Sequence, residues 1–299
     1  MSPCPLRLLG LATLAAAALT LGCKPKDAAD GTPASTTIQN KGSDTMVNVA
    51  QVWAEEYKKA HPTVDVEVSG GGTGVGIAAL IRGTIDIATA SRNMKAEEIA
   101  QAVKNTGKNP KEIIVGYDAL AVYVHKDNPL EEISTEQLSA IYEEGGTVSK
   151  WSELGITLPS GQDEIVRVSR QSSSGTYEFF REHVLHKRDF KLGSRDMNGS
   201  KEVVELVGTT VSAIGYSGMG YHDPRHVKML KVRTHPDRPA IAPCVATTIA
   251  HEYPIARSLL LYTLGEPQGE LKAYIEWILS PAGQHIVEQS GYVPVPPAK

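Results

Sequence analysis

The fold is decided by the stretch Arg170-Gln171-Ser172-Ser173-Ser174-Gly175-Thr176, which lies between a strand-like run and a helix-like run that begins at Tyr177. A helix that begins at Ser174-Gly175-Thr176 offers unpaired backbone N–H groups, hydroxyl donors and the positive end of its dipole. Arg170 can place a planar guanidinium fork at the same point. The stretch therefore predicts a pocket for phosphate or a related tetrahedral oxyanion, and it indicates binding rather than catalysis.

A second strand–turn–helix unit contains a Gly-rich turn. Valines alternate with acids from Val64 to Val68, as in a half-buried strand, and lead into Ser69-Gly70-Gly71-Gly72-Thr73-Gly74 and an apolar helix. Such a turn lets backbone approach an anion closely. It lacks the Gly-Lys-Ser/Thr of a Walker loop and the spacing of a dinucleotide fingerprint. The nearest acid, Asp86, lies within the next strand, where we expect a structural role.

Two more polar loops follow strand-like runs. The first is Gly42-Ser43-Asp44-Thr45-Met46, and the second is Thr89-Ala90-Ser91-Arg92. Ligands in α/β proteins bind at the carboxyl ends of strands, so both loops are candidates. The first loop contains three good N-cap residues and is equally compatible with a plain helix cap. Arg92 is predicted either as a second ligand cation or as a salt bridge between lobes.

Composition narrows the class of protein. The chain has 299 residues, of which 41% are hydrophobic and 21% charged, as is ordinary for a globular protein with one large domain or two lobes. The formal net charge is −4 and the pI is near 6.2. This charge gives no support for nucleic-acid binding, which usually shows a basic patch.

The N-terminus predicts export. Residues 1–22 contain one positive charge, Arg7, and an apolar run too short for a comfortable membrane span, so they read as a signal peptide. Cys23 follows in a lipobox-like context and is predicted to be lipidated, with ordinary secretion as the alternative. Residues 23–36 are polar and suit a tether. Cys244 is then the remaining cysteine, and we expect it to be a small buried residue.

Taken together, the motifs resemble those of the phosphate-binding proteins that serve bacterial phosphate ABC importers. The resemblance covers about residues 37–295 and rests on the order and spacing of the following pieces: G42-S-D-T-M46, S69-G-G-G-T-G74, G83-T-I-D-I-A-T-A-S-R92, E136-Q-L138, W151-S-E-L154, R170-Q-S-S-S-G-T176, A213-I-G-Y216 and Y253-P-I-A-R257.

The resemblance implies an α/β, two-lobed periplasmic-binding-protein fold of type II. Each lobe would have a mostly parallel sheet flanked by helices, and crossing hinge strands would join the lobes. We place lobe 1 at residues 37–118 plus 249–299 and lobe 2 at 119–248. The run from Thr247 to Thr263 is predicted to hold the return crossing and a terminal strand.

The resemblance also implies a phosphate site between the lobes. Its predicted members are Ser43, Asp44, Thr45, Met46, Thr73, Ser91, Arg92, Arg170, Ser174, Gly175 and Thr176. Some family members have an aspartate where Ser91 stands, which accepts the proton of HPO4²⁻ and so rejects sulfate. Asp44 is our substitute acceptor. The family usually has serine at the position of Thr73, and threonine keeps the hydroxyl.

The function implied is binding of inorganic phosphate and its delivery to the membrane subunits of an ABC importer. The protein would be a monomer, lipid-anchored in the periplasm or at the cell surface, with no enzyme activity, cofactor, metal or nucleic-acid partner. Alternatives are a binding protein for sulfate, molybdate, tungstate or arsenate, a surface phosphate sensor, or a secreted phosphatase. A serine hydrolase is disfavoured because Gly215-Tyr216-Ser217-Gly218-Met219-Gly220 breaks the nucleophile-elbow pattern. His183 and His186, predicted on one helix, favour a solvated face over a metal site.

Overall fold

The computed structural model describes residues 35–235 and 237–296. The predicted signal peptide, Cys23 and most of the predicted tether lie outside these residues. Within them the strands are β1 (Thr36–Gly42), β2 (Val64–Ser69), β3 (Ile87–Ala90), β4 (Pro110–His125), β5 (Glu132–Ser134), β6 (Val166–Arg170), β7 (Arg195–Met197), β8 (Ala213–Gly218), β9 (Val227–Met229), β10 (Lys231–Arg233) and β11 (Ala256–Leu264). The helices are α1 (Val47–Ala60), α2 (Thr73–Ile81), α3 (Ala96–Thr106), α4 (Thr135–Tyr142), α5 (Gly175–His183), α6 (Ser200–Thr209), α7 (Val245–Ile249), α8 (Gly269–Leu279) and α9 (Pro281–Gln289).

The main sheet of the described residues runs in the order β2-β1-β3-β11-β4-β8-β6-β7, with β9 also paired to β4. The outer pairs β1–β2, β1–β3, β6–β7 and β6–β8 are parallel, as predicted. The central strands depart from that prediction, because β11 pairs antiparallel with β3 and β4, and β4 pairs antiparallel with β8. The departure follows from chain direction, since a strand that returns from one half of the sheet to the other must run opposite to the first.

Strand β4 belongs to both halves of the sheet. Its first part, up to Ala119, pairs with β11, and its second part, from Leu120, pairs with β8. The second part is buried at every residue from Leu120 to Val124, as expected for a strand covered on both faces. We keep the predicted lobe boundary at residue 118 as a proposal, which this change of partner supports.

The halves have separate apolar cores. The core of the first half includes Trp53, Tyr57 and Tyr274, packed by α1, α8 and α9 on one face of the sheet. Helix α2, with α3 in contact with it, packs on the other face. The core of the second half includes Trp151 and Phe180. It also includes Tyr253 and Ile255, so we propose that the return crossing begins near Ala256 rather than at residue 249.

Three local predictions were wrong. Residues 245–249 form helix α7 rather than part of the crossing strand. Cys244, expected to be buried, is exposed at the start of that helix. Helix α5 ends at His183, and His186 has a left-handed φ of 52°, so the two histidines do not share one helix. In the described ranges, no helix has both the length and the apolar character that crossing a bilayer requires.

Candidate anion-binding site

Four loops that the sequence singled out meet at one place. Three follow the parallel strands β1, β2 and β3, and the fourth follows β6 in the other half of the sheet. Because the carboxyl ends of parallel strands lie at one edge of a sheet, the first three loops are neighbours. The long β4 strand then brings the β6 loop to face them.

The Gly-rich turn and the β6 loop are in direct contact across the two halves. The N–H of Gly74 donates to the carbonyl oxygen of Ser173 at 2.9 Å, and the Ser173 hydroxyl donates to the Gly71 carbonyl oxygen at 3.3 Å. Gly72 has a φ of 96°, and a Cβ on it would lie 2.6 Å from the Ser173 oxygen. Only glycine fits both the conformation and this approach.

A cluster of buried hydroxyls lies beside that contact; we call Thr45, Thr73, Ser91 and Thr176 the hydroxyl cluster. The side-chain oxygens of Thr45 and Thr176 are 3.0 Å apart, although the residues come from opposite halves. The Thr73 hydroxyl oxygen accepts the N–H of Ser91 at 3.1 Å and lies 3.4 Å from its hydroxyl. Gly175 packs closely here, since a Cβ on it would be 2.4 Å from the Thr73 hydroxyl oxygen.

The N-terminus of α5 points into the same region. Ser174 is its N-cap residue, and its hydroxyl oxygen accepts the N–H of Thr176 at 3.1 Å. Both side chains are buried. Because the first turn of a helix carries N–H groups without intrahelical partners and the positive end of the dipole, this end of α5 favours a negative charge.

Arg170 is fully buried and joins the two halves. Its guanidinium donates to Asp44 Oδ2 at 2.7 Å, to the Asn198 carbonyl oxygen at 2.8 Å, to the Ser200 hydroxyl at 3.0 Å and to the Met197 carbonyl oxygen at 3.3 Å. Burial lowers the pKa of Arg170, and the Asp44 carboxylate opposes that shift. The guanidinium stays charged, because arginine is not deprotonated in proteins.

The first loop is tightly held as well. Asp44 accepts the N–H of Gly71 at its second carboxylate oxygen, and its carbonyl oxygen accepts the Tyr221 hydroxyl at 2.6 Å. The N–H of Met46 donates to the Ser43 carbonyl oxygen at 3.0 Å. The Ser43 hydroxyl is buried and has no hydrogen-bond partner among the described residues. Ser43 is therefore the member of this loop whose polar side-chain atom is left for a ligand.

Arg92 is the predicted site residue that the structure does not bring to the hydroxyl cluster. Its guanidinium forms a bidentate pair with Glu98 at 2.7 and 2.8 Å, within the same half of the sheet. Burial opposes ionisation of Glu98, yet its pKa is lowered because Arg92 and the N–H of Lys95 stabilise the carboxylate. Arg92 lines a groove of about 520 Å³ between the halves.

Arg257, which the sequence reading did not assign to the site, lies within the hydroxyl cluster. It is buried on β11, pairs with buried Asp118 at 2.8 Å, and donates to the hydroxyls of Thr176 at 3.1 Å and Thr45 at 3.2 Å. The signal was an unexplained charge in each of two apolar strands. Buried arginine and aspartate are rare unless paired, so each charge indicated that it has a partner but not which residue that partner is.

Asp86 has the structural role expected of it. Its carboxylate accepts the backbone N–H of Gln39 at 2.7 Å, at the edge where β1 and β3 meet. Among the described residues, no group of three or more histidine, cysteine, aspartate or glutamate side chains is arranged to hold a metal ion. The hydroxyl cluster and its surroundings present hydroxyls, amides and guanidinium groups, which act by hydrogen bonding.

Comparisons with known proteins show what the chain is similar to. Residues 27–282 match the family model of the PBP superfamily domain. The phosphate-binding protein PstS of Pseudomonas aeruginosa is 32% identical over 272 residues, which cover 88% of this chain and 84% of that protein.

Solved structures resemble the chain over most of its length. A substrate-binding protein of Clostridium perfringens, described as belonging to a phosphate ABC transporter and solved with bound phosphate, is 29% identical with a TM-score of 0.76. It covers 87% of this chain and 100% of its own. An ABC-type phosphate transport receptor of Vibrio cholerae is 26% identical with a TM-score of 0.67, over 87% and 100% of the two chains. The two-lobed fold predicted from the sequence is thus confirmed. The chain belongs to the PBP superfamily and, within it, to the family of the phosphate-binding proteins PstS.

Proposed function

We propose that this protein binds inorganic phosphate between its lobes and delivers it to an ABC importer. The observation that carries the proposal is the meeting of the Thr45 and Thr176 hydroxyls at 3.0 Å, from loops of opposite lobes, beside two buried arginines. A tetrahedral oxyanion has four oxygens and accepts hydrogen bonds from every side. A set of donors from both lobes suits such a ligand.

The site also suits a dehydrated anion. Thr45, Thr73, Ser91, Arg170, Ser174 and Thr176 are each no more than 3% exposed. Hydrogen bonds to a charged group contribute about 1.5–3 kcal/mol each, and a dissociation constant of 1 µM requires about 8 kcal/mol in total. Several such bonds support micromolar or tighter binding after the costs of desolvation and closure are subtracted.

Closure follows from where the donors lie. Phosphate that docks on one lobe lacks the hydroxyl and guanidinium groups of the other, so it binds the closed form more tightly than the open form. A ligand shifts a conformational equilibrium by that difference in affinity. We infer a hinge motion about the crossing strands β4 and β11, with release to the importer requiring the reverse motion.

The predicted site residues stay part of this proposal. Ser43, Thr45, Met46, Thr73, Ser91, Ser174, Gly175 and Thr176 would contact the anion, and Arg170 would supply charge. Asp44 already bonds Arg170 and Gly71, but each carboxylate oxygen accepts more than one hydrogen bond, so it is retained as the acceptor of the ligand proton. Arg92 is the weakest member, because Glu98 already holds it.

We further propose that Cys23 carries a lipid that holds the protein in the periplasm or at the cell surface, that it acts as a monomer, and that it has no enzyme activity. The relatives named above are binding and transport proteins, which supports only the last part of this proposal. A phosphate sensor on the same scaffold would bind the same ligand. Loss of phosphate uptake on deletion of the gene separates transport from sensing.

Calorimetry with phosphate, sulfate, molybdate, tungstate and arsenate in parallel tests the proposed ligand. We expect phosphate to bind with a micromolar or lower dissociation constant and sulfate at least tenfold more weakly. Arg170→Ala should weaken phosphate binding by at least about 2 kcal/mol, the value of one charge-assisted hydrogen bond. Tight sulfate binding without phosphate binding would overturn the ligand assignment, and turnover of a chromogenic phosphate ester would overturn the assignment as a non-enzyme.

A further inference from the structure

We propose that Arg257 is a second guanidinium ligand of the bound anion, supplied by the hinge rather than by either lobe. The inference rests on the proposed function and names a binding residue that the sequence reading did not contain. Its evidence is the position of Arg257 relative to the hydroxyl cluster, to Asp118 and to the crossing strands.

The guanidinium of Arg257 points at two hydroxyls of the hydroxyl cluster. Nη1 of Arg257 donates to the Thr176 hydroxyl at 3.1 Å, and Nη2 donates to the Thr45 hydroxyl at 3.2 Å. The two hydroxyl oxygens are 3.0 Å apart, so the fork spans the point where the lobes meet. An anion oxygen that takes the place of the Thr45–Thr176 hydrogen bond would face the same two N–H groups.

The carboxylate of Asp118 balances the charge of Arg257. Asp118 Oδ2 accepts Nε of Arg257 at 3.0 Å and Nη2 at 2.8 Å, and its Oδ1 accepts the N–H of Met219. A guanidinium has five N–H bonds, so this pairing fixes the group and still leaves donors for the cluster. Because Asp118 balances its charge, Arg257 would contribute directed hydrogen bonds to the anion without adding net charge to the site.

The Arg257–Asp118 pair lies where the two halves of the sheet join. Arg257 and Asp118 lie directly opposite each other on the antiparallel strands β11 and β4, next to the residues where β4 changes partner. The donor would therefore move with neither lobe. It would contact the anion where the hinge bends, and its contact with Thr45 and Thr176 would form only when both lobes are closed.

A purely structural ion pair is the competing explanation. Breaking a buried pair lowers folding stability in either case, so a stability measurement cannot distinguish the two. The distinguishing quantity is the phosphate affinity of variants that remain folded. The centroid of the Phe179 ring lies 5.6 Å from the guanidinium carbon of Arg257, which further stabilises a cation at this position.

The test uses Arg257→Lys, which keeps the charge beside Asp118 but loses the fork. We expect a folded protein whose phosphate dissociation constant is at least about tenfold higher, as for one lost charge-assisted bond. Arg181→Lys is the matched control, because Arg181 on α5 pairs with Asp189 at 2.8 Å and is not a member of the proposed site, and it should stay within twofold of the wild type. Thermal unfolding without phosphate monitors the fold of each variant.

A second measurement on the unaltered protein keeps the inference testable if Arg257→Lys does not fold. Inorganic phosphate should shift the side-chain ¹⁵N NMR signals of Arg257, assigned through bonds from its backbone signals in the wild type, whereas sodium chloride at equal ionic strength should not. A folded Arg257→Lys with wild-type affinity, or unshifted Arg257 signals at saturating phosphate, would overturn the inference alone. A wild type that binds no phosphate would overturn the proposed function and this inference with it.

Discussion

Arg170, which is fully buried, forms an ion pair with the partly buried Asp44, 126 positions away in the chain. Removing two charges from water is costly, and such a pair is tolerated when further hydrogen bonds satisfy both partners. Here Arg170 has three more acceptors, and Asp44 has the N–H of Gly71. The pair thus fixes the loops of opposite lobes at a distance suited to one small anion.

The importance of Arg170 was visible from its spacing to the Ser-Gly-Thr that opens a helix. Its pairing with Asp44 was not, because nothing local in either loop specifies the other. Arg257 was missed for a related reason: the sequence shows a charge within an apolar strand, but only the antiparallel register places Asp118 opposite it. Site members that lie at helix starts were therefore predictable, while those that depend on pairing between strands were not.

Gly175→Ala tests the closeness of the lobes at a single residue. A Cβ at this position would lie 2.4 Å from the Thr73 hydroxyl oxygen and 2.6 Å from that of Ser91, so the closed form must open to admit it. We expect the phosphate dissociation constant to rise by at least about tenfold, or about 1.4 kcal/mol. Thermal unfolding without phosphate should change little, because alanine suits a helix at least as well as glycine.

Gly199→Ala is the control for that variant. Gly199 precedes helix α6 in the same lobe, and a Cβ on it would meet nothing closer than 3.6 Å. Its phosphate affinity should match that of the wild type. Wild-type affinity in Gly175→Ala would mean that the lobes do not approach as closely in solution as the cluster requires.

At the level of elements, the loops after β1, β2, β3 and β6 were identified from alternating apolar runs followed by Gly, Ser and Thr. The order of the strands in the sheet was not accessible in this way, because period and composition do not record which strands pair. Most of the short helix α7 was predicted as strand, since Thr247, Thr248 and Ile249 are β-branched residues typical of sheets. The wrong expectation that Cys244 is buried has the same origin, because Cys244 directly precedes this helix.

The salt bridge between Lys95 and Glu178 joins elements of different lobes and should contribute to phosphate affinity. Lys95, which precedes α3, pairs with Glu178 of α5 at 3.1 Å, and both side chains are partly exposed. Exposed ion pairs contribute about 0–1 kcal/mol, so Lys95→Ala should raise the phosphate dissociation constant by no more than about fivefold at low salt. At 1 M salt the difference should vanish, because the Debye length falls to about 3 Å.

Calorimetry of Lys95→Ala and of the wild type at both ionic strengths measures this effect. Lys111→Ala is the control, because Lys111 pairs with Glu266 at 2.8 Å, between residues at the paired ends of β4 and β11 and away from the cleft. It should bind phosphate like the wild type at either salt concentration. If the loss of phosphate affinity in Lys95→Ala persists at 1 M salt, the prediction is wrong, and Lys95 acts through a contact other than the exposed pair with Glu178.

In the whole molecule, binding and release of the anion both depend on how the two lobes come together. Each lobe has its own apolar core, the strands β4 and β11 connect the lobes, and polar groups of the two lobes hydrogen-bond to one another in this arrangement. An anion that accepts hydrogen bonds from both lobes and from the hinge stabilises this closed form. The importer would then recognise a shape that exists mainly when phosphate is bound.

The crystal structure of the protein grown with phosphate tests this account most directly. We predict one anion between the Thr45 and Thr176 hydroxyls, within 3.2 Å of both and of the Arg170 guanidinium, with the Gly74–Ser173 contact between the lobes retained. Phosphate bound only outside the hydroxyl cluster, or bound within it while the two lobes stand apart, would contradict the account.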